Sequence, residues 1–357
     1  MAKVSEAVKT RKTWEEIEDE NTQRLLDIPS NSSWFVEGRA LFGGFPNQDR
    51  VKHLERIGVK VFVDLTSPAE EGIVPYTLTS SNRISFVMQD HSIPSEWKAY
   101  AMFIVGLCKL IESLKQGELI YLHCRGGHGR SGVVVASVFC YGLTLLNIGS
   151  TAGEVGGVHT LKLSPAESLE LTNRCHNNRL EMRLKWREIG SPQTKRQKSF
   201  IHHFFKPLRF GPHHNPELFH TVLSTRTKHE IALDYGTFAT CFDAYRFHRG
   251  ILSDFDRVTE VEKVSILKTI VKSKFEQHPA VTEVFLDTGL RPLVKSSNSR
   301  FWGREIEGGI NAYGSILNEV REEILLARFK LKYPLAPIKP PDMRHSLAWL
   351  LLAGTTW

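Results

Sequence analysis

The sequence predicts an α/β unit, built on a central, mostly parallel sheet flanked by helices, followed by a mainly helical second unit. Three observations lead there. VKVFVDLT (59–66) is a short, valine-rich apolar run of the kind that forms a buried strand. ELIYLHC (118–124) is a second such run, and it passes through a glycine-rich turn, 126–129, into SGVVVASVFCYG (131–142), which has helical length and closes on Gly142. Strand, loop and helix in that order call for parallel neighbours. Downstream, Val264, Leu267, Val271 and Phe275, then Tyr313, Ile316, Leu317, Val320 and Ile324, recur at helical spacing.

The remaining elements follow in order. A chain of 357 residues favours two domains with flanking tails. Residues 1–29 are a polar lead-in without sustained apolar periodicity. The first unit occupies 30–206, with a helix over 101–115 between the two strands. A long helix over 164–186 begins Ser-Pro and carries Glu167 three residues after Ser164, a capping box. The Pro-, His- and Arg-rich stretch that follows places a boundary near Pro207 to Pro216, and the second unit runs over 207–330. In 331–357, the prolines of PLAPIKPPDM (334–343) rule out regular structure and predict an extended linker. The apolar LAWLLLAG (347–354) after it is too short to span a bilayer and suits covering an edge or mediating association.

Hydrophobic residues at 41% and charged residues at 24% exclude a disordered or fibrous chain. A net charge of +7 favours acidic partners without choosing among them, and nothing singles out nucleic acid. Five cysteines without a CxxC pair indicate neither a disulfide framework nor a zinc site, and suit a reducing compartment. With no apolar leader and no membrane-length apolar stretch, a cytoplasmic protein without a membrane partner is expected. The pairs His202/His203 and His213/His214 are adjacent rather than at ligand spacing, so no metal or cofactor is expected.

The chemistry concentrates in HCRGGHGRS (123–131), an HCxxGxxR pattern between strand and helix. A short glycine-rich loop turns successive backbone N–H groups inward as an anion nest, and the following helix N-terminus adds its positive dipole end. Arg125, Gly126, Gly127, His128, Gly129 and Arg130 are the expected phosphate-binding residues. Cys124 is the expected nucleophile, because such a nest stabilises a thiolate and would lead to a phosphocysteine. Arg130 supplies a planar fork for two phosphate oxygens, and the Ser131 hydroxyl can bond the sulfur when it leaves. A general acid must come from a separate loop, and MQDHSIPS offers Asp90, whereas Asp64 more simply ends the strand VFVD. His91 and His128 are read as shaping the pocket.

These residues, with LFGGFP (41–46), GVKVFVDLT (58–66), His176 and Arg179 in order, resemble the protein tyrosine and dual-specificity phosphatase superfamily over residues about 30–205. The resemblance implies metal-free hydrolysis of phosphomonoesters in a shallow pocket, with Asp90 acting first as acid and then as base. The loop lacks the lysine pair of phosphoinositide-directed members, which favours a phosphorylated protein as substrate over other phosphomonoesters. Gln197 falls where related enzymes place a water-positioning residue, but it reads as an exposed helix glutamine and stands outside the catalytic set.

In the second half, KFEQHP (274–279), RFWG (300–303) and GGINAYGSILNEVREEI (308–324) resemble the NADAR family of YbiA-like N-glycosidases. That resemblance implies a nucleotide or ADP-ribose-type ligand, with Trp302 and Asn311 on matching positions. Ala239 stands where the family's glutamate is expected and Arg246 where its lysine is, and Asp254 or Asp256 are the available substitutes. Oxocarbenium-like cleavage needs a carboxylate. The expectation is therefore a degenerate NADAR-like domain for ligand binding or targeting, joined to a dual-specificity-type phosphatase. The alternatives are a bifunctional enzyme of ADP-ribose or nucleotide metabolism, combining N-glycosidase and phosphatase, and a non-catalytic phospho-ligand binding module.

Overall fold

The structure is a computed structural model that describes residues 27–146, 158–211, 218–251, 258–304 and 308–335. The lead-in up to residue 26, His213 and His214, Asp254 and Asp256, and the segment from 336 that holds LAWLLLAG lie outside the described residues.

Strands β1 (Ser32–Val36), β2 (Ala40–Gly43), β3 (Val59–Asp64), β4 (Asn82–Ser85) and β5 (Leu119–His123) form a five-stranded sheet in the order β1-β2-β5-β3-β4. Only the β1–β2 pair is antiparallel. The predicted strands are therefore its centre, and β5 is buried along its whole length. The register aligns Gly43 with His123, His123 with Asp64, and Asp64 with Ser85. Three loops leave that carboxyl edge after Gly43, Asp64 and Ser85, and they meet the glycine-rich turn after His123, as ligand sites of parallel sheets do.

One face of the sheet is covered by the helices Trp97–Ser113 and Arg130–Tyr141, whose Tyr100, Phe103, Val133 and Phe139 join its main core. The helix Gln48–Ile57 covers the other face with Val51, Leu54 and Ile57. It is capped by the Asn47 side chain at one end and ended by Gly58 at φ +115°.

After the hairpin β6 (Leu143–Leu146) and β7 (Val158–Leu161), the predicted long helix divides in two. Ser164 and Glu167 do form the capping box of the helix Pro165–Asn177. The chain then turns at Asn178 and resumes as the helix Leu184–Ile189. The physical reason lies at Arg179, which is 2% exposed and turned inward under the sheet's edge rather than outward on a helix. The helix Lys195–Phe204 follows and packs Phe200 and Phe204 against Trp97 and Tyr100.

The second half is mainly helical: Leu218–Leu223, Cys241–Ile251, Glu260–Gln277, Pro279–Leu286 and Ala312–Lys332. Its strands are short, with β8 (Leu208–Phe210) parallel to a strand at Leu293–Lys295 and β9 (Ile231–Leu233) paired with β10 (Gly236–Phe238). This half sits directly on the first. Lys98 meets Glu283 at 2.6 Å and Asp287 at 3.4 Å, and Lys109 meets Glu322 at 3.2 Å. The two helices Trp97–Ser113 and Ala312–Lys332 approach so closely at Gly106 that a Cβ there would lie 2.1 Å from the Phe329 ring. Among the described residues, no helix is long and apolar enough to cross a membrane.

Gly106→Val should therefore destabilise the protein by about 3 kcal/mol, the cost of overpacking a core that cannot yield. Urea unfolding measures this, and adding Phe329→Ala should recover part of the loss. A Gly106→Val protein of wild-type stability would show that the helices do not meet at this point.

Candidate active site

The loop from Cys124 to Arg130 is fixed by its carbonyl groups. The Phe45 N–H donates to Arg125 O at 3.0 Å, Arg179 Nη2 donates to Gly127 O at 2.9 Å, and Ser191 Oγ donates to His128 O at 2.7 Å. Gly129 O accepts from Val133 N inside the following helix. With the carbonyls drawn outward, the peptide N–H groups are turned to the inner side, and among the described residues those of 125 to 130 donate to no protein acceptor. Gly127 has φ +74°, and a Cβ there would lie 2.3 Å from the Gly43 backbone, so only glycine permits the turn. Cys124 lies at the base of this loop and is 3% exposed. Ser131 Oγ is buried nearby in sequence and has no hydrogen-bond partner.

Arg130, 1% exposed, carries a dense set of contacts. Nη1 donates to Glu70 Oε2 at 2.7 Å and to Met88 O at 3.0 Å, while Nη2 donates to Glu70 Oε1 at 2.8 Å and lies 3.1 Å from Asp90 Oδ1. Burial opposes the guanidinium charge, but Glu70, Cys124 and Asp90 together more than offset it and hold Arg130 above its ordinary value. Nε is buried without a partner. Asp90, by contrast, is 42% exposed and sits beside His91, whose φ of +57° marks a sharp turn in this loop. Its place on Arg130 puts the predicted acid over the predicted cradle, and Asp64 ends β3 and accepts from Thr66.

The sequence reading passed over Glu70 and assigned no supporting role to Gln197 or Arg179. Glu70 comes from the loop after β3, where no spacing to HCxxGxxR announces it. Gln197 is not an exposed helix glutamine but fully buried: its Nε2 donates to Ser92 O at 3.0 Å, and a Cβ on Gly129 would lie 3.0 Å from it. It thus ties the Asp90 loop to the helix Lys195–Phe204 above the cradle. Arg179 is buried without a carboxylate partner among the described residues, and burial pushes its guanidinium down to about 10. It spans Phe42 O, Gly127 O and Ser33 Oγ, and stacks on the Phe42 ring at 4.5 Å.

Two residues of the second unit receive different places. Trp302 is half-buried, edge-on to Tyr245 at 6.0 Å. Asn311, the proposed ligand residue, instead holds its own fold: Oδ1 accepts from Lys295 N, Nδ2 donates to Leu293 O, and φ is +62°. Among the described residues, no cluster of His, Cys, Asp and Glu could hold a metal ion.

Three histidines lie at the loop: His123 and His176 are buried, and His128, within the loop, is half-buried. His123 bonds Tyr76 OH at 2.7 Å, and His128 bonds His176 at 2.8 Å while stacking on Trp186 at 4.6 Å. Burial pushes His123 down to about 4, His128 to about 3 and His176 to about 4, with Arg130, Arg179 and Arg187 adding repulsion and Asp64 opposing it at His123. Their folded values lie below the unfolded value of about 6.5, so the unfolded chain binds more protons in between. Stability should fall as pH drops below about 6.5, and continue falling to about pH 3, the folded value of His128. Urea unfolding across this range measures the slope, which should be shallower in His176→Asn. A stability independent of pH there would contradict neutral burial of all three rings.

Comparison with known proteins bears on the same region. A family model described as "Tc-R-P: Polymorphic toxin system, DSP-PTPase phosphatase" matches residues 40–142. "Putative tyrosine phosphatase 197R" of Invertebrate iridescent virus 6 is 30% identical over 264 residues, covering 71% of this chain and 81% of the viral protein. "Putative tyrosine phosphatase 067L" of Invertebrate iridescent virus 3 is 36% identical over 177 residues, 49% of this chain and 66% of its own length. The NMR structure of the E. coli protein YbiA is 19% identical, covering 35% of this chain and 88% of that chain at a TM-score of 0.29. On the viral relative matched along most of both chains, and on a family model laid over the sheet and loop just described, this chain belongs to the tyrosine and dual-specificity phosphatase family and is a phosphatase.

Proposed function

We propose that the chain is a phosphoric monoester hydrolase of the dual-specificity type that works through a phosphocysteine on Cys124. The observation that carries this reading is the unspent set of donors on the loop that follows Cys124: the N–H groups of 125–130 meet no protein acceptor among the described residues, and Arg130 Nε and Ser131 Oγ are buried without a partner. Buried donors are rarely left unpaired, and a tetrahedral oxyanion satisfies several at once.

The steps follow from the contacts. A phosphate seated in the loop takes Arg130 Nε–H and displaces the Asp90 carboxylate from Nη2, while Glu70 keeps the guanidinium plane fixed. Freed and exposed, the Asp90 carboxylate takes up a proton from solvent and then passes it to the leaving oxygen as the Cys124 sulfur bonds phosphorus and the phosphorus–oxygen ester bond breaks. In the second step Asp90 takes a proton from water, the water oxygen bonds phosphorus, and the sulfur leaves with Ser131 Oγ–H as its hydrogen-bond donor. A phosphorylated protein is the proposed substrate. The route needs no metal or cofactor.

For the second unit we propose ligand binding or targeting by a degenerate NADAR-like domain. Its cations lie over rings, with Lys295 Nζ 4.7 Å from Tyr313 and Arg226 4.7 Å from Phe242, a setting that suits an anionic, ring-bearing ligand of the nucleotide or ADP-ribose type near Trp302.

Cys124→Ser should abolish turnover while phosphate ligands still bind, since the hydroxyl stays protonated and the donors remain. Asp90→Asn should lower kcat on a phosphotyrosine peptide by roughly 10²- to 10⁴-fold, and far less on an aryl phosphate whose phenol is acidic. Steady-state kinetics on the two esters decide it. An equal loss on both would remove Asp90 from the role of general acid.

A further inference from the structure

The seam between the two units opens into a groove of about 500 Å³ between the helices Trp97–Ser113 and Ala312–Lys332. Its floor is the close approach of Gly106 to Phe329, and Leu110 and Leu326 stand on its two sides. Both leucines are half-buried, and Phe329 is 4% exposed. The polar groups stand at the rim: Ser113 and Lys330 are exposed there, while Lys109 is taken up by Glu112 and Glu322 at 3.2 Å each. A small-molecule pocket of this size orients its ligand with a few converging polar groups, and the interior of this groove offers none. What it offers is apolar surface, whose removal from water is favourable in proportion to its area.

The chain itself leaves along this groove. Tyr333 caps the helix Ala312–Lys332 with its ring 5.0 Å from that of Phe329 and its hydroxyl donating to Ser85 O at 3.3 Å, and Pro334 and Leu335 then line the groove. Beyond Leu335 the sequence holds residues 336–346 and then the apolar LAWLLLAG (347–354). Extended, residues 336–346 reach about 35–40 Å, more than the roughly 25 Å of the helix Trp97–Ser113 that forms one wall, so the apolar run can return to the place the chain left. A segment tethered this closely acts at an effective concentration on the order of millimolar, which favours it over a second copy of the chain or a separate apolar partner.

We propose that this groove is the docking site of the chain's own segment 347–354, with Trp349, Leu350, Leu351 and Leu352 covering the seam between Leu110 and Leu326. Docked there, the segment straddles one helix from each unit. It adds an apolar strap to the ion pairs Lys98–Glu283 and Lys109–Glu322 that already join the two halves. The prolines of 334–341 serve the same end, because their fixed φ reduces the chain entropy lost when the segment is held.

The test uses the full chain with Trp349 replaced by the photocrosslinking residue p-benzoylphenylalanine, irradiated alone and with phosphatidylcholine vesicles and mapped by mass spectrometry. The expected product is a link within one chain to the peptides that hold Leu110 or residues 326–330, with and without vesicles. A link between two chains, a link to lipid in place of the groove, links confined to other parts of the chain, or no link at all overturns the proposal. A second arm leaves the groove untouched and combines Leu350→Ser with Leu351→Ser in the full chain. If the segment covers the groove, this change uncovers apolar surface, so the fluorescence of the apolar dye ANS should rise and the urea midpoint should fall. A fall in dye fluorescence at an unchanged midpoint would mean that the leucines themselves had faced solvent, and it overturns the docking.

Discussion

Everything at the catalytic edge depends on the loop's carbonyls being held from outside. A seven-residue loop with free peptide groups would collapse onto its own acceptors, and the buried N–H groups would find partners among them. Here the scaffold claims the acceptors first: the Phe45 amide takes Arg125 O, Arg179 takes Gly127 O, and Ser191 takes His128 O. The donors are left without a protein acceptor among the described residues. The proposed binding site is thus a consequence of backbone accounting, with Cys124 at the start of the loop that does it.

The same logic governs charge. Arg130 is buried, which costs too much without compensation, and Glu70 supplies a two-point partner that also fixes the plane of the fork. Arg179 receives no such partner and is neutralised only by carbonyl dipoles and the Phe42 ring, so its charge remains felt at the loop. The result is one guanidinium matched by carboxylates, Arg130, and one that is not, Arg179, both at the same loop. Asp90, half in solvent and resting on Arg130, is the removable part of that arrangement.

Local patterns made part of this legible in advance. Valine-rich runs fixed β3 and β5, and the glycines between a strand and a helix marked Cys124, Arg130 and the loop. The Ser164–Glu167 capping box was readable because it depends on residues three apart. What failed were features that depend on tertiary approach. Periodicity continued through 164–186, yet the helix breaks because burying Arg179 under the loop outweighs a few more turns. Gln197 carried the surroundings of a surface residue, with lysines and arginine beside it, but its face of the helix Lys195–Phe204 is pressed onto the loop. Glu70 had no motif at all. Asn311 matched a ligand position in sequence while its amide is engaged with the backbone of Leu293 and Lys295.

The second unit is coupled to the first through the helix that follows the Asp90 loop. Trp97 and Lys98 begin that helix, and both are gripped, one by Phe200 and Phe204, the other by Glu283 and Asp287. The loop that carries Asp90, the proposed acid, therefore runs into a helix start that is held by residues of both halves of the chain. The central claim, that the sulfur of Cys124 carries the phosphoryl group, is tested most directly by rapid-quench mass spectrometry. Ser131→Ala protein, in which the thiolate leaves slowly, is mixed with an aryl phosphate and digested. The account predicts a phosphoryl adduct on the peptide containing Cys124; turnover with no adduct on that peptide, or an adduct on another residue, would contradict it.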